Sequence, residues 1–397
     1  TAVRDGNTID LVIERDVLAE DLVADAGLPY AGGAARALDG LLDAGGGGDD
    51  LNDVLVALSS LPSNEAAADA IAQLTPVLAG RGTIAVTQAM DATMGLVRSR
   101  FSSNNGGTRS GAAGDDSRYE RGPLWLKPFG SYAEQDTRSG TPGFDADTIG
   151  IGFGGDVEFN DRLVLGAAVA WSDTEVDGDT LSSNRLDAET YQLVVYSDYA
   201  LNETDFVESY AIAGWNDNQT RRQLSVGGLT RQARGDYNSF FTRFYTGLGR
   251  HYHTSDNWTF APVVNIRYTY IDEDSYIEKG AGSLNLAVDD NDADSLILGL
   301  DGVATYRFGD NQGYTLKLRT GIGFDVLTDE TVVTSTFAGG GGAFTTTGAE
   351  PDEFTYGAGV GFKAAPTDRL SVHLDYEFEG RSDYQSHGGS LNLRWRF

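Results

Sequence analysis

The sequence predicts an all-β membrane protein: a twelve-stranded antiparallel transmembrane β-barrel with an N-terminal α-helical segment, one helix plugging the pore. Three observations carry this. Apolar and polar residues alternate strictly, for ten or more positions at a time, from Gly122 to Phe397. The apolar face of a run is bounded by aromatics at both ends, the girdle–band–girdle order of a membrane strand. The connections alternate between short polar turns and longer Gly/Asp-rich loops, the layout of outer-membrane barrels.

The elements follow in chain order. Residues 1–17 read as a short β stretch, with Ile9, Leu11 and Ile13 alternating against Asp10, Val12 and Glu14. Residues 18–101 are Ala- and Leu-rich. Leu51, Val54, Leu55, Leu58 and Leu61 recur at helical spacing. Ser63 is an N-cap for a second helix carrying Ala68, Ile71, Ala72 and Leu74. Pro76 and Gly80-Arg81-Gly82 interrupt it, and a third helix runs from about Thr83 to Phe101. Residues 102–121, rich in Gly, Ser, Asn and Asp, form a linker.

The barrel occupies 122–397. In residues 370–379, Leu370, Val372, Leu374, Tyr376 and Phe378 make one face; Ser371, His373, Asp375, Glu377 and Glu379 make the other. Residues 314–326 repeat the pattern, and 258–270 places Trp258 and Phe260 at one end and Tyr268 and Tyr270 at the other. Such runs exceed the usual ~5 to 6 residues of a soluble strand. Strand starts fall near 123, 147, 163, 186, 206, 235, 258, 294, 314, 352, 370 and 390. Register is least defined at 206–254, where Phe240, Phe241, Phe244 and Tyr245 fall on both faces.

Composition narrows the function. No run approaches the ~18 to 20 apolar residues of a spanning helix. The net charge of −30 argues against nucleic-acid binding, which wants a basic face. The absence of Cys removes disulfides and thiolate chemistry. A chain that starts at Thr1 without a signal peptide reads as a fragment or a processed product.

Inward positions on several strands are small: Gly150, Gly152 and Gly154; Gly166, Ala168 and Ala170; Gly321 and Gly323; Gly357, Gly359 and Gly361. Gly runs on one face let another element approach closely, or relieve sheet curvature. A twelve-strand lumen lies between the ~8-strand case that side chains fill and the ~16-strand case that stays open. Thr83–Phe101 is the plug expected there: ~19 residues at ~1.5 Å each match a ~30 Å bilayer core. Its Asp91, Arg98 and Arg100 would meet lumen charges such as Lys127, Asp156, Lys317, Arg319, Asp375 and Glu377. The alternative is that this helix packs on residues 51–74 outside the pore.

Catalytic and metal chemistry find little support. His251 and His253 share a strand face but lack a third ligand. No Gly-x-Ser-x-Gly, P-loop or His-Glu-x-x-His is present. The acidic run 289–294 has oxygen ligands suited to Ca²⁺ but lacks the Gly and Glu of an EF-hand loop. No cofactor is expected.

The chain ends with Leu391, Leu393, Trp395 and Phe397 alternating against Asn392, Arg394 and Arg396. This resembles the C-terminal signature of Gram-negative outer-membrane barrels, with Leu393, Trp395 and Phe397 as the assembly signal. A β rung, an Ala/Leu-rich helical stretch containing Ala70-Ile71-Ala72-Gln73-Leu74-Thr75-Pro76, and a barrel from Leu124-Trp125-Leu126-Lys127-Pro128-Phe129-Gly130 to Trp395-Arg396-Phe397 together resemble a type V autotransporter translocator. The likeness implies an N-terminal passenger displayed at the cell surface, of which residues 1–17 are a remnant, and a helix left in the pore. It implies outer-membrane lipid or lipopolysaccharide, the barrel-assembly machinery and its own passenger as partners of a monomer. Some relatives release passengers by Asn cyclisation inside the pore helix; here Asn104-Asn105-Gly106 lies after that helix. Two other readings are an outer-membrane channel for small solutes or ions, and the anchor of a surface enzyme whose catalytic domain lies upstream.

Overall fold

A computed structural model describes residues 2–5, 8–11, 17–45, 48–76, 81–98, 100–101, 124–138, 140–179, 184–309, 313–328, 331–348, 351–367 and 370–395. The linker 102–121, with Asn104-Asn105-Gly106, lies outside them, as does Phe397; Leu393 and Trp395 are described as strand backbone alone.

Twelve long strands form the barrel: β1 Trp125–Gln135, β2 Phe144–Asn160, β3 Leu163–Gly178, β4 Arg185–Ala200, β5 Asp205–Val226, β6 Leu229–Arg250, β7 Trp258–Glu273, β8 Asn291–Phe308, β9 Tyr314–Asp325, β10 Phe354–Thr367, β11 Leu370–Arg381 and β12 Tyr384–Trp395. Each pairs antiparallel with its sequence neighbours, and β12 pairs with β1, so the ring closes. Closure leaves no open edge in lipid, where an unpaired backbone group has no water to bind.

The period-2 pattern sets the faces. On β2, Phe144, Ala146 and Thr148 are buried inside, while Ile149, Ile151 and Phe153 are exposed outside. The outward band includes Val169, Leu193, Val264, Leu298, Leu300, Leu318 and Ile322. Aromatics rim it. Trp258, Tyr306, Phe308, Tyr314 and Phe362 stack in sequence at one end, with centroids 4.7, 5.4, 5.5 and 6.4 Å apart. Tyr191 and Trp215 stack at the other end, 5.5 Å apart.

The 206–254 pair is now in register. Gly227 and Gly228, both at positive φ, make a two-residue hairpin between β5 and β6. Only primed turns of this kind match the twist of the flanking strands. Phe241 and Tyr245 point into the lumen; Phe240 and Phe244 are 48% and 55% exposed on the outside. The strand expected at 235 therefore starts at Leu229, and the one expected at 390 starts at Tyr384.

Residues 17–76 form a cap rather than a simple run of helices. Helices α1 Ala19–Asp25, α2 Gly32–Asp43, α3 Asp49–Ser59 and α4 Asn64–Ala72 sit on the long-loop end. Ser63 caps α4, its Oγ accepting from Ala66 N at 3.2 Å. The long loops add short strands at Tyr276–Ile277, Leu286–Val288, Val332–Phe337 and Phe344–Thr347, which pair into one sheet. Cap and loops share one core, in which Leu38, Leu51, Val54, Ile71 and Leu74 pack with Leu224, Val226, Leu284, Phe337 and Phe344. The pore helix is α5, Arg81–Arg98. It starts two residues before Thr83. Arg100 and Phe101 fall in a turn beyond its end, not on the helix as the sequence suggested. Ahead of the cap, Ala2–Asp5 and Thr8–Leu11 pair as a small hairpin.

The lumen and its pore helix as candidate functional site

Helix α5 lies inside the barrel, off its axis. Val86, Met90, Met94, Leu96 and Val97 pack against Trp125, Phe129, Ala168, Ala170, Val194 and Ile212. The spacing 86, 90, 94, 97 is one face of a 3.6-residue period, so a single apolar stripe meets one wall. The stripe next to it, Thr87, Asp91, Gly95 and Arg98, turned by about 100°, is less buried and faces open volume.

Polar groups fix the helix along its length. Gln88 pairs with Tyr384 on β12. Gln192 on β4 donates to Ala89 O at 3.0 Å and to Thr93 Oγ1 at 2.9 Å. Asp91 pairs with Arg243 on β6. Lys127 on β1 donates from Nζ to Leu96 O at 2.8 Å. A cation at the last carbonyls satisfies orphan acceptors and suits the negative end of the helix dipole. Arg98 meets Glu377 on β11 at 2.7 Å, and Glu377 is also held by Arg319 on β9. Arg100 meets Asp156 on β2 at 2.6 Å, and the Tyr196 hydroxyl donates to the same carboxylate at 2.9 Å. Phe101 is fully buried among Tyr196, Tyr210 and Tyr245, with ring centroids 6.4 to 6.5 Å away.

The three helix charges singled out from sequence thus each have a lumen partner. Asp156 and Glu377 were among the groups expected to meet them. Arg243, Gln192 and Tyr384 were not. Arg243 and Gln192 sit on inward positions of their strands, a signal present in the alternation but not distinctive.

The lumen glycines behave differently from the expectation that they make room for the helix. A Cβ on Gly152 would lie 2.3 Å from Leu96 Cδ1, so this glycine does admit α5. At Gly150 and Gly154 a Cβ would meet Phe129 and Trp125, lumen aromatics of the neighbouring strand. At Gly321, Gly323, Gly357, Gly359 and Gly361 it would meet sheet atoms first. Four of these, Gly321, Gly323, Gly357 and Gly359, line a cavity of about 160 Å³ beside the helix, together with Arg98, Arg319 and Glu377. A second cavity of about 200 Å³ continues toward the cap, and the two share Asp91, Arg267, Ile297 and Glu379. The helix fills one side of the lumen, and the glycine wall faces the other.

Elsewhere, His251 is buried against Phe206, 4.5 Å between centroids, whereas His253 is exposed at the short-turn rim. Of the acidic run 289–294, the part from Asn291 belongs to β8, and Asp294 accepts from the Tyr268 hydroxyl at 2.5 Å. Among the described residues no group of three His, Asp or Glu gathers to hold a metal ion.

Residues 124–377 match the family described as Autotransporter beta-domain. "Outer membrane protein B" of Rickettsia prowazekii is 24% identical over 316 residues, 77% of this chain and 19% of the relative. "Esterase EstA" of Pseudomonas aeruginosa is 26% identical over 217 residues, 51% of this chain and 33% of the relative. The chain thus spans less than a fifth of the first relative and a third of the second. The translocator domain of the autotransporter NalP from Neisseria meningitidis superposes with a TM-score of 0.60 at 14% identity, covering 81% of this chain and all of that one. A closed barrel with an inserted helix, on a sequence matched from its first strand to β11, makes the chain a member of the autotransporter β-domain family and an integral translocator of the outer membrane.

Proposed function

We propose that this barrel carries an N-terminal passenger to the cell surface and that α5 stays in the lumen afterwards as a stopper. The direction of α5 is the observation that supports this most. Its start, at Ile84 and Ala85, packs with Phe144, Val176 and Leu186 near the long loops. Its end, at Leu96, lies by Trp125 and Gly152 near the short turns. In outer-membrane barrels long loops face outward and short turns face the periplasm. The cap that precedes α5, packed on the long loops, is therefore on the outside, where a passenger belongs. The glycine-lined half of the lumen is a natural path for extended chain, because side chains there take up little space.

Residues 1–17 then continue into the passenger. Outer-membrane lipid or lipopolysaccharide surrounds the outward band. The closing sequence with Leu393, Trp395 and Phe397 is the signal the barrel-assembly machinery recognises, and the protein works as a monomer. The translocator barrel is not itself catalytic. The likeness to an esterase keeps open a passenger that is an enzyme, which the sequence upstream of Thr1 decides.

The test is conductance. Barrel lacking residues 1–101, reconstituted in a planar bilayer, should conduct more than the 397-residue chain. Equal conductance would remove α5 from the pore and favour a solute channel.

A further inference from the structure

The cap is built in two halves that lie far apart in sequence. Its helices supply Leu38 and Leu51, and the turn after α4 supplies Leu74; the loops between β7 and β8 and between β9 and β10 supply Leu284, Leu286, Phe337 and Phe344. Neither half encloses this core without the other. The backbones also touch directly. A Cβ on Gly33 of α2 would stand 2.1 Å from Thr345 O, and one on Gly227 of the β5–β6 hairpin 2.3 Å from Ala57 O.

Two charged clasps fasten the halves. Arg222, on the extension of β5, is buried and forks onto Glu278 at 2.5 and 3.1 Å. It also donates to Leu284 O at 2.8 Å and to Gln73 O, at the end of α4, at 3.0 Å. Arg231 of β6 holds Asp50 of α3 through two bonds of 2.7 and 2.9 Å, and Ser283 N donates to Asp50 at 2.7 Å. The Arg231 guanidinium and Ser283 hold the Asp50 carboxyl well below the usual carboxylate range. The Gln73 clasp sits eight positions before Arg81, where the pore helix starts.

We propose that residues 19–76 are a lid that docks on a platform made by the barrel's own long loops, and that this docking holds the pore helix in the lumen. The lid completes its core only outside, after the segment has crossed, because the platform is on that side. Once docked, it fixes the outer end of α5 and opposes its slipping back. The inference rests on the reading of α5 as a stopper.

The experiment uses the full chain in planar bilayers, with heat-modifiable migration on gels to show that the barrel is folded. Leu38→Asp puts a carboxylate into the shared core and should raise the frequency of open events by about tenfold or more. Asp50→Arg, facing Arg231, should raise it less, and Asp50→Arg with Arg231→Asp should bring it back toward wild type. Arg98→Glu, which breaks a lumen contact of the helix, is the comparison. If Arg98→Glu opens the pore while Leu38→Asp and Asp50→Arg conduct as wild type, lumen contacts alone hold the helix and the lid proposal is wrong. If Arg98→Glu and the barrel lacking residues 1–101 also conduct as wild type, the stopper reading fails with it.

Discussion

Leu318 and Gly388 stand on opposite faces of the barrel wall. Leu318 is 45% exposed on the outward band of β9, whereas Gly388 lines the cavity beside α5, directly across from Glu377. A charge in mid-bilayer on the lipid face costs ~2 to 4 kcal/mol, and a lumen charge does not. Leu318→Arg should therefore lower barrel stability by that amount in a urea titration from lipid vesicles. Gly388→Arg, with open space and a carboxylate opposite, should change it little. A larger loss at Gly388 would mean that the two faces have been exchanged, and equal losses that they do not differ in surroundings. Gly33 makes a different prediction. Its place beside Thr345 O leaves no room for a methyl group, so Gly33→Ala must push α2 off the loop sheet. Overpacking of this kind costs ~1 to 3 kcal/mol. Trypsin should then cut at Arg36 in the cap while the barrel still runs as a heat-modifiable band; unchanged resistance would show that the contact gives way freely. Gly388 was not marked, since it precedes the strand start expected near 390, whereas the face of Leu318 was legible from alternation alone. The role of Gly33 was not, because its partner is more than 300 positions away and carries no pattern of its own.

Strands and helices differ in how plainly the chain announces them. Each barrel strand has a lipid face that tolerates almost nothing polar, so β9 and β11 could be read position by position. Strand β6 could not, because lumen aromatics erase the contrast between its faces: Phe241 and Tyr245 pack inside near Phe101 and Tyr210, and Phe240 and Phe244 face lipid. The Gly227-Gly228 pair was the available signal for that hairpin, since positive φ at both central residues is what its turn demands. The pore helix was legible as a helix of spanning length. Which wall it chooses was not, because Arg243, Gln192 and Lys127 are single polar residues among many. The last strand carries its own prediction. Its backbone pairs with β11 as far as Trp395 and with β1 as far as Ser390. If the terminal aromatic is the assembly signal, Phe397→Asp should lower outer-membrane yield and leave periplasmic protein open to protease. Wild-type assembly of this variant would dismiss that signal.

At the scale of the whole molecule, the chain is threaded in one direction through its own lumen. The hairpin 2–11 and the cap precede α5, α5 crosses the lumen, and β1 begins beside its far end. The long loops at 136–143, 274–290 and 326–353 share one end of the ring, but that end also carries two-residue turns at Gly227-Gly228 and 382–383, so the alternation of short and long connections expected from the turn chemistry is broken there. The sequence did not show that the long loops fold against the cap, since Leu284, Phe337 and Phe344 lie in stretches without period and find their partners only in three dimensions. Threading and loop length make a joint demand on orientation. An epitope placed before Thr1 and another in the loop at Gly342 should both be reached by antibody on intact cells. Gly342 suits an insertion because nothing lies within 4 Å of an added Cβ. An epitope at Asn257, in the turn between β6 and β7, should be reached only after the outer membrane is permeabilised. The three positions cannot be satisfied by a reversed barrel, which would expose Asn257 and hide Gly342. Nor can they be satisfied by a helix outside the lumen, which would leave the end before Thr1 on the same side as β1. If Thr1 and Asn257 report from the same side, α5 does not cross the wall, and export through this barrel loses its structural basis.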